Sequence, residues 1–300
     1  MTVLTKTNLQ DFMSCPYYYK LNQIDGLFYK SQSLIVSIGT LFHSAMEIWG
    51  KHGKEDALGF ISQAVKQCFN DNKLNAEFKP QDLEKVSATI HGMVNGYPYP
   101  VQADGCEVEF MVDFYGFKLA GKWDGDYKDA GRSVLFDYKT KGRLPKLDHG
   151  LLKRDLQGQL YFHVARQLGM DVEGFEQILV KRSELRQGKK ESWPAYLQRI
   201  RMDYVDPKRV DDNYARHAVL YDPDGEEFWA NLRMVTDNVQ RCMGTKRWPQ
   251  HTINCKTRWH KHCVYLPVCN KELGWEELYD VMGPDHHPEL SYGREYENGE

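Results

Sequence analysis

The chain has 300 residues, with 39 Lys and Arg against 42 Asp and Glu, 41% hydrophobic residues and 13% aromatics. That composition supplies a sizeable core and excludes a disordered chain, a collagen-like repeat and a small disulfide scaffold. No apolar run approaches the ~20 residues of a membrane span and no secretory signal opens the chain, so a soluble cytoplasmic protein with no membrane partner is expected.

In chain order, Thr7-Asn8-Leu9-Gln10 has a capping-box pattern that predicts a short helix ending near Pro16. Leu34, Ile38, Leu41, Ala45 and Ile48 recur at helical spacing, with Gly53 as a stop, and helices are predicted around 54–70 and 81–95. Val108, Phe110, Val112 and Phe114 then alternate as a strand does. A turn at Tyr115-Gly116 leads into a second strand over 118–128, and Asp129-Ala130-Gly131-Arg132 turns into a third over 133–139. A helix at about 154–168, strands near 174–182 and 196–204, and a long helix near 224–243 complete a mixed α/β reading.

The third strand carries Asp137 and Lys139 two positions apart, and therefore on one face. A turn centred between Ala130 and Gly131 sets Asp124 directly opposite Asp137, with Cβ atoms ~5 Å apart. Facing carboxylates repel unless a cation or a proton lies between them. Oxygen ligands at that separation suit Mg²⁺ or Mn²⁺, and Lys139 beside them could position or help deprotonate a water, or stabilise phosphate charge. The other reading is an ordinary surface hairpin, because a slip of one residue separates the two faces.

Gly121-x-x-Asp124, twelve further residues and then Asp137-Tyr138-Lys139 resemble the core motif of the PD-(D/E)XK nuclease superfamily, above all its RecB-like exonuclease branch. The resemblance implies a restriction-endonuclease-like core, a mixed central sheet flanked by helices, with N-terminal helices and a C-terminal cysteine clasp. It makes His43, in Gly39-Thr40-Leu41-Phe42-His43, a metal ligand beside Asp124, Asp137 and the Tyr138 carbonyl. Gln157 and Tyr161 match the Q-x-x-x-Y motif of that branch, four apart on one helix face, and the resemblance gives them a role in orienting the active site or the strand.

Of seven cysteines, Cys15 stands near the start and Cys255, Cys263 and Cys269 near the end. The last two resemble the C-x5-C clasp of the iron–sulfur nucleases in this branch, which implies four thiolates holding a [4Fe–4S] cluster. Seven residues separate Cys255 from Cys263 where many relatives have two. His260 and His262 in the same segment leave zinc as an alternative. Cys68, Cys106 and Cys242 lack such spacing and read as core thiols.

Basic residues follow the motif (Lys141, Arg143, Lys146, Lys153, Arg154) and the next strand (Lys181, Arg182, Arg186, Lys189, Lys190), a pattern that could track phosphates. Trp193, Trp248 and Trp259 could stack unpaired bases. Residues 1–271 read as one nuclease domain and 272–300 as an acidic tail. Together these features predict a metal-dependent deoxyribonuclease, an exonuclease acting on single strands or duplex ends in recombination, repair or phage DNA processing. The chain shows no G-x-x-x-x-G-K-[ST] loop, so unwinding would need a helicase or recombination partner. The alternative is a DNA-binding subunit of a recombination or CRISPR-adaptation complex, inactive or active only in the assembly.

Overall fold

A computed structural model describes residues 2–30, 34–70, 79–101, 108–129, 132–255 and 262–282. The chain forms two compact units, one from Met1–Gln32, Glu109–Lys122 and Asp222–Glu300, the other from Ser33–Val108 and Trp123–Tyr221. Its strands are β1 (Val3–Leu4), β2 (Leu27–Tyr29), β3 (Val108–Phe114), β4 (Phe117–Trp123), β5 (Gly125–Asp129), β6 (Arg132–Lys141), β7 (Val172–Lys181), β8 (Tyr214–Leu220) and β9 (Tyr279–Val281).

In the second unit, β5-β6-β7-β8 make one sheet in that order, with the β6–β7 pair parallel and the outer pairs antiparallel. One face of the sheet presents Phe136, Tyr138, Ile178 and Val180 to the helices Leu34–His52, Lys54–Asn70, Pro80–Asn95 and Trp193–Val205, which contribute Phe42, Met46, Ile61, Ile90, Met93 and Ile200 to a single core. The helix Leu156–Gln167 packs against β7. Gly158 permits that approach, since a Cβ there would fall 2.4 Å from the Tyr221 hydroxyl and 2.8 Å from the Phe175 ring. Mixed strands layered with helices give the expected α/β class, consistent with a restriction-endonuclease-like fold.

The first unit holds the sheet β1-β4-β3 and the ribbon β2-β9. Tyr115 and Gly116 both have positive φ, the conformation a tight two-residue hairpin turn requires between β3 and β4. Thr5 caps the helix Lys6–Ser14, and Asn8 closes the capping box, two residues earlier than the sequence pattern suggests.

Two further features depart from expectation. Residues 193–205 form a helix rather than a strand over 196–204: Ser192 caps it, Pro194 stands in its first turn, and Tyr196, Ile200 and Tyr204 are buried at intervals of four. The predicted strand over 118–128 breaks at Asp124 into β4 and β5, which belong to different sheets. The acidic tail begins within folded chain, because β9 pairs with β2 and the Met282 N–H donates to the Gly26 carbonyl at 2.7 Å. No helix among the described residues is long and apolar enough to cross a membrane.

Candidate active site

The β5–β6 hairpin has the register that the turn predicts: Gly125 pairs with Phe136, Asp126 with Leu135 and Asp129 with Arg132. Asp124 sits one position before β5, and its Oδ2 accepts the backbone N–H of Tyr138 at 2.6 Å. The carboxylate thus takes a donor that a continued ladder would have used, and a bond of that charged kind contributes about 1.5–3 kcal/mol. Asp137 and Lys139 follow on either side of Tyr138, on one face of β6.

Both carboxylates are buried, with Asp124 7% and Asp137 3% exposed. Buried charges need partners, and each has found a cation. His43 reaches from the Leu34–His52 helix, its Nδ1 3.0 Å from Asp124 Oδ2. Lys139 Nζ lies 2.5 Å from Asp137 Oδ2, and Gln157 Nε2 donates to Asp137 Oδ1 at 2.6 Å. Asp155 was not legible as a contributor; its side chain accepts from the Gly158 N–H at the start of the Gln157 helix, and its charge also favours the Lys139 ammonium. The signal for it was an N-cap Asp ahead of an apolar helix.

The titration of these groups follows from the pairing. Burial pushes the His43 imidazole down, but the Asp124 carboxylate overrides this and lifts it to about 9. Burial also acts on Asp124, yet His43 and the Tyr138 N–H hold it below the usual carboxylate range. Asp137 moves the other way: burial raises it above that range, Lys139 opposes, and the Asp124 charge adds to the rise. Lys139 is held above its ordinary value, since attraction to Asp137 outweighs burial. Two carboxylates pushed apart in this way form an acid pair whose members are chemically distinct.

Tyr161, one turn beyond Gln157, is buried with its ring near those of Trp123 and Phe175, 6.3 Å from each. From this helix, Gln157 reaches the carboxylates. Among the expected phosphate-tracking residues, Lys141 and Lys181 are cross-strand neighbours, and the Arg182 N–H donates to the Lys141 carbonyl at 2.7 Å. Lys141, Arg143, Lys146, Lys153 and Arg154 are exposed. The Trp193 indole is engaged by Glu84, and Trp248 lies 5.9 Å from Tyr19; Trp259 is outside the described residues.

Cys15, Cys255, Cys263 and Cys269 lie within the first unit. Cys15 Sγ accepts the His251 N–H at 3.4 Å, and the Cys263 N–H donates to the Cys255 carbonyl at 2.8 Å. Burial chiefly raises the Cys263 and Cys269 thiols, and both also feel the charges of Cys15 and Cys255. Tyr265, Val268 and Tyr279 pack with Leu21 and Leu27 beside Cys263. Cys242 is a buried thiol as expected; Cys106 and the Cys68 side chain are outside the described residues, as is His260. Among the described residues no three His, Cys, Asp or Glu side chains are arranged as a metal-ligand group.

A buried carboxylate pair with a lysine and an imidazole, set on a mixed sheet, has the groups that metal-assisted hydrolysis uses. The family model of the PD-(D/E)XK nuclease superfamily matches residues 3–270, and the chain belongs to that superfamily. It is therefore a metal-dependent nuclease domain, of a superfamily that uses divalent cations such as Mg²⁺ or Mn²⁺, with DNA as the implied substrate. No curated protein matches the chain.

Proposed function

We propose that the chain is a Mg²⁺- or Mn²⁺-dependent exonuclease of the RecB-like branch, cutting phosphodiester bonds from DNA ends in recombination, repair or phage DNA processing. The observation that supports it most is the convergence of His43, Asp124, Asp137, Lys139 and Gln157 on one point of β6. Asp124, Asp137 and the Tyr138 carbonyl would hold the divalent ion as oxygen donors that fit a hard cation, and His43 would join them on giving up its proton. Once bound, that ion supplies Lewis-acid polarisation of the phosphate and an acidified water.

The remaining work falls to the chain's own residues. The Tyr138 N–H fixes Asp124, and Gln157 fixes Asp137, so neither carboxylate can rotate freely. Lys139, whose Nζ lies 2.5 Å from Asp137 Oδ2, faces the site as a cation that would meet developing phosphate charge and orient the water. Tyr161 backs this arrangement through Trp123. Lys141, Lys181 and Arg182 continue the positive surface along the ends of β6 and β7.

The four cysteines support a [4Fe–4S] clasp. They are drawn from both ends of the matched region into mutual electrostatic reach, with two thiols desolvated. Held as thiolates they fit a cluster that crosslinks residue 15 to 255–269 and closes a 1–271 nuclease domain. Exonuclease action is tested with linear and covalently closed circular DNA of the same sequence in Mn²⁺. Degradation of the linear form alone is expected, and equal cleavage of the circle would overturn the exonuclease assignment.

A further inference from the structure

Beside the carboxylate site, the second unit contains a cavity of about 180 Å³ walled by Tyr97, Tyr99, Tyr127, Phe136, Tyr138 and Arg216. Its aromatic rings meet at steep angles: Tyr97 stands 5.4 Å from Tyr99 at 86° and 5.9 Å from Tyr138 at 75°. Packing alone would favour aliphatic side chains, which bury area without a hydroxyl to satisfy. Here four hydroxyl-bearing rings surround open space.

Arg216 is presented as a flat surface. Its guanidinium lies 5.2 Å from the Tyr99 ring and 5.0 Å from the Tyr127 ring. The buried Glu176 fixes it there, accepting from Arg216 Nε at 2.9 Å and from the Tyr127 hydroxyl at 2.8 Å. The charge of Arg216 is thereby met within the protein, with its guanidinium held against the Tyr99 and Tyr127 rings. Lys128 and Pro100 stand exposed at the rim, while Tyr97 and Tyr138 are buried at the floor, their hydroxyls adjacent. Each hydroxyl is both donor and acceptor.

A small aromatic chamber with a polar floor and a cationic rim matches one occupant: a single nucleobase, stacked on the rings, its edge toward the hydroxyls and its phosphate at the rim. Tyr138 links the chamber to the carboxylates. Its ring lines the cavity and lies 6.1 Å from the His43 ring, while its backbone N–H holds Asp124. We infer that this cavity captures one unpaired base of the strand being cut, which makes the enzyme selective for single-stranded or frayed ends. The inference rests on the nuclease reading and names the form of its substrate.

The test uses the full chain and single-stranded oligonucleotides carrying 2-aminopurine at successive positions, in buffer without divalent metal so that nothing is cut. Quenching at one position alone is expected. Tyr99→Leu, which keeps apolar volume but removes the ring, should abolish that quench and weaken binding about tenfold, and Tyr99→Phe should restore both. Lys139→Ala should keep the quench. Uniform quenching at every position, none at all, or a quench unchanged in Tyr99→Leu would overturn the inference. A Tyr99-dependent quench in a protein that cuts no DNA in Mn²⁺ would support the base site while removing the nuclease reading.

Discussion

Gln157 donates to Asp137 at 2.6 Å, so a helix that begins fifteen residues after β6 ends holds in place the carboxylate of the pair that is raised by burial. Asp155 caps that helix and Gly158 lets it approach β7, which makes the 155–158 turn a support for the site as a whole.

Gln157→Ala removes this support without touching the carboxylates. Loss of a partner of this kind lowers metal affinity or activity by about 10- to 100-fold. Steady-state cleavage rates titrated with Mn²⁺ should show that loss.

Gly158→Ala should act on stability. The new methyl group would meet the Tyr221 hydroxyl at 2.4 Å and the Phe175 ring at 2.8 Å, and such overpacking costs about 1–3 kcal/mol. Urea unfolding should show a lower midpoint with an unchanged slope.

Cys263→Ala should remove iron from the purified protein and lower the stability of the clasp, while Asp124 and Asp137 keep their partners. Iron analysis and absorbance near 400 nm read the cluster directly. A variant with full iron content and an unchanged midpoint would exclude the clasp, and stoichiometric zinc in place of iron would exclude the cluster.

Asp11 gives a prediction in pH. Burial raises its carboxyl from 3.8 to about 6, against the Asn22 hydrogen bond and Lys6. A folded-state value above the unfolded one means that the contribution to stability is complete below about 3.8 and is lost as pH rises through about 6. Asp11→Asn should therefore stabilise the protein at pH 7.5 by about 1 kcal/mol, allowing for partial exposure, with no gain at pH 4. Thermal melts at the two pH values check both arms.

Much of the site was legible because its parts are local. The turn signal Asp129-Ala130-Gly131-Arg132 in the sequence predicts the hairpin register, Asp129 pairs with Arg132, and strand alternation then places Asp137 and Lys139 on one face. The break at Asp124 was not legible, since an unbroken apolar alternation runs through 117–127 and the departure is made by a side-chain bond to Tyr138. The helix over 193–205 was misread because Tyr196, Ile200 and Tyr204 belong to a period of four that alternation obscured. β8 was missed for the opposite reason: Arg216 and His217 interrupt its apolar pattern, and the Arg216 charge is met by Glu176 on the neighbouring strand. β1, β2 and β9 have two or three residues each, too short for any period to register.

The central claim is that Asp124, Asp137 and Lys139 form a metal-dependent nuclease centre. End-labelled linear single-stranded and duplex DNA incubated with Mn²⁺ tests it most directly, with the parent protein and Lys139→Ala compared side by side. Cleavage by the parent that EDTA abolishes and that falls at least about 100-fold in Lys139→Ala is the predicted result. Metal-independent cleavage, no cleavage by the parent, or equal rates for the two proteins would contradict it.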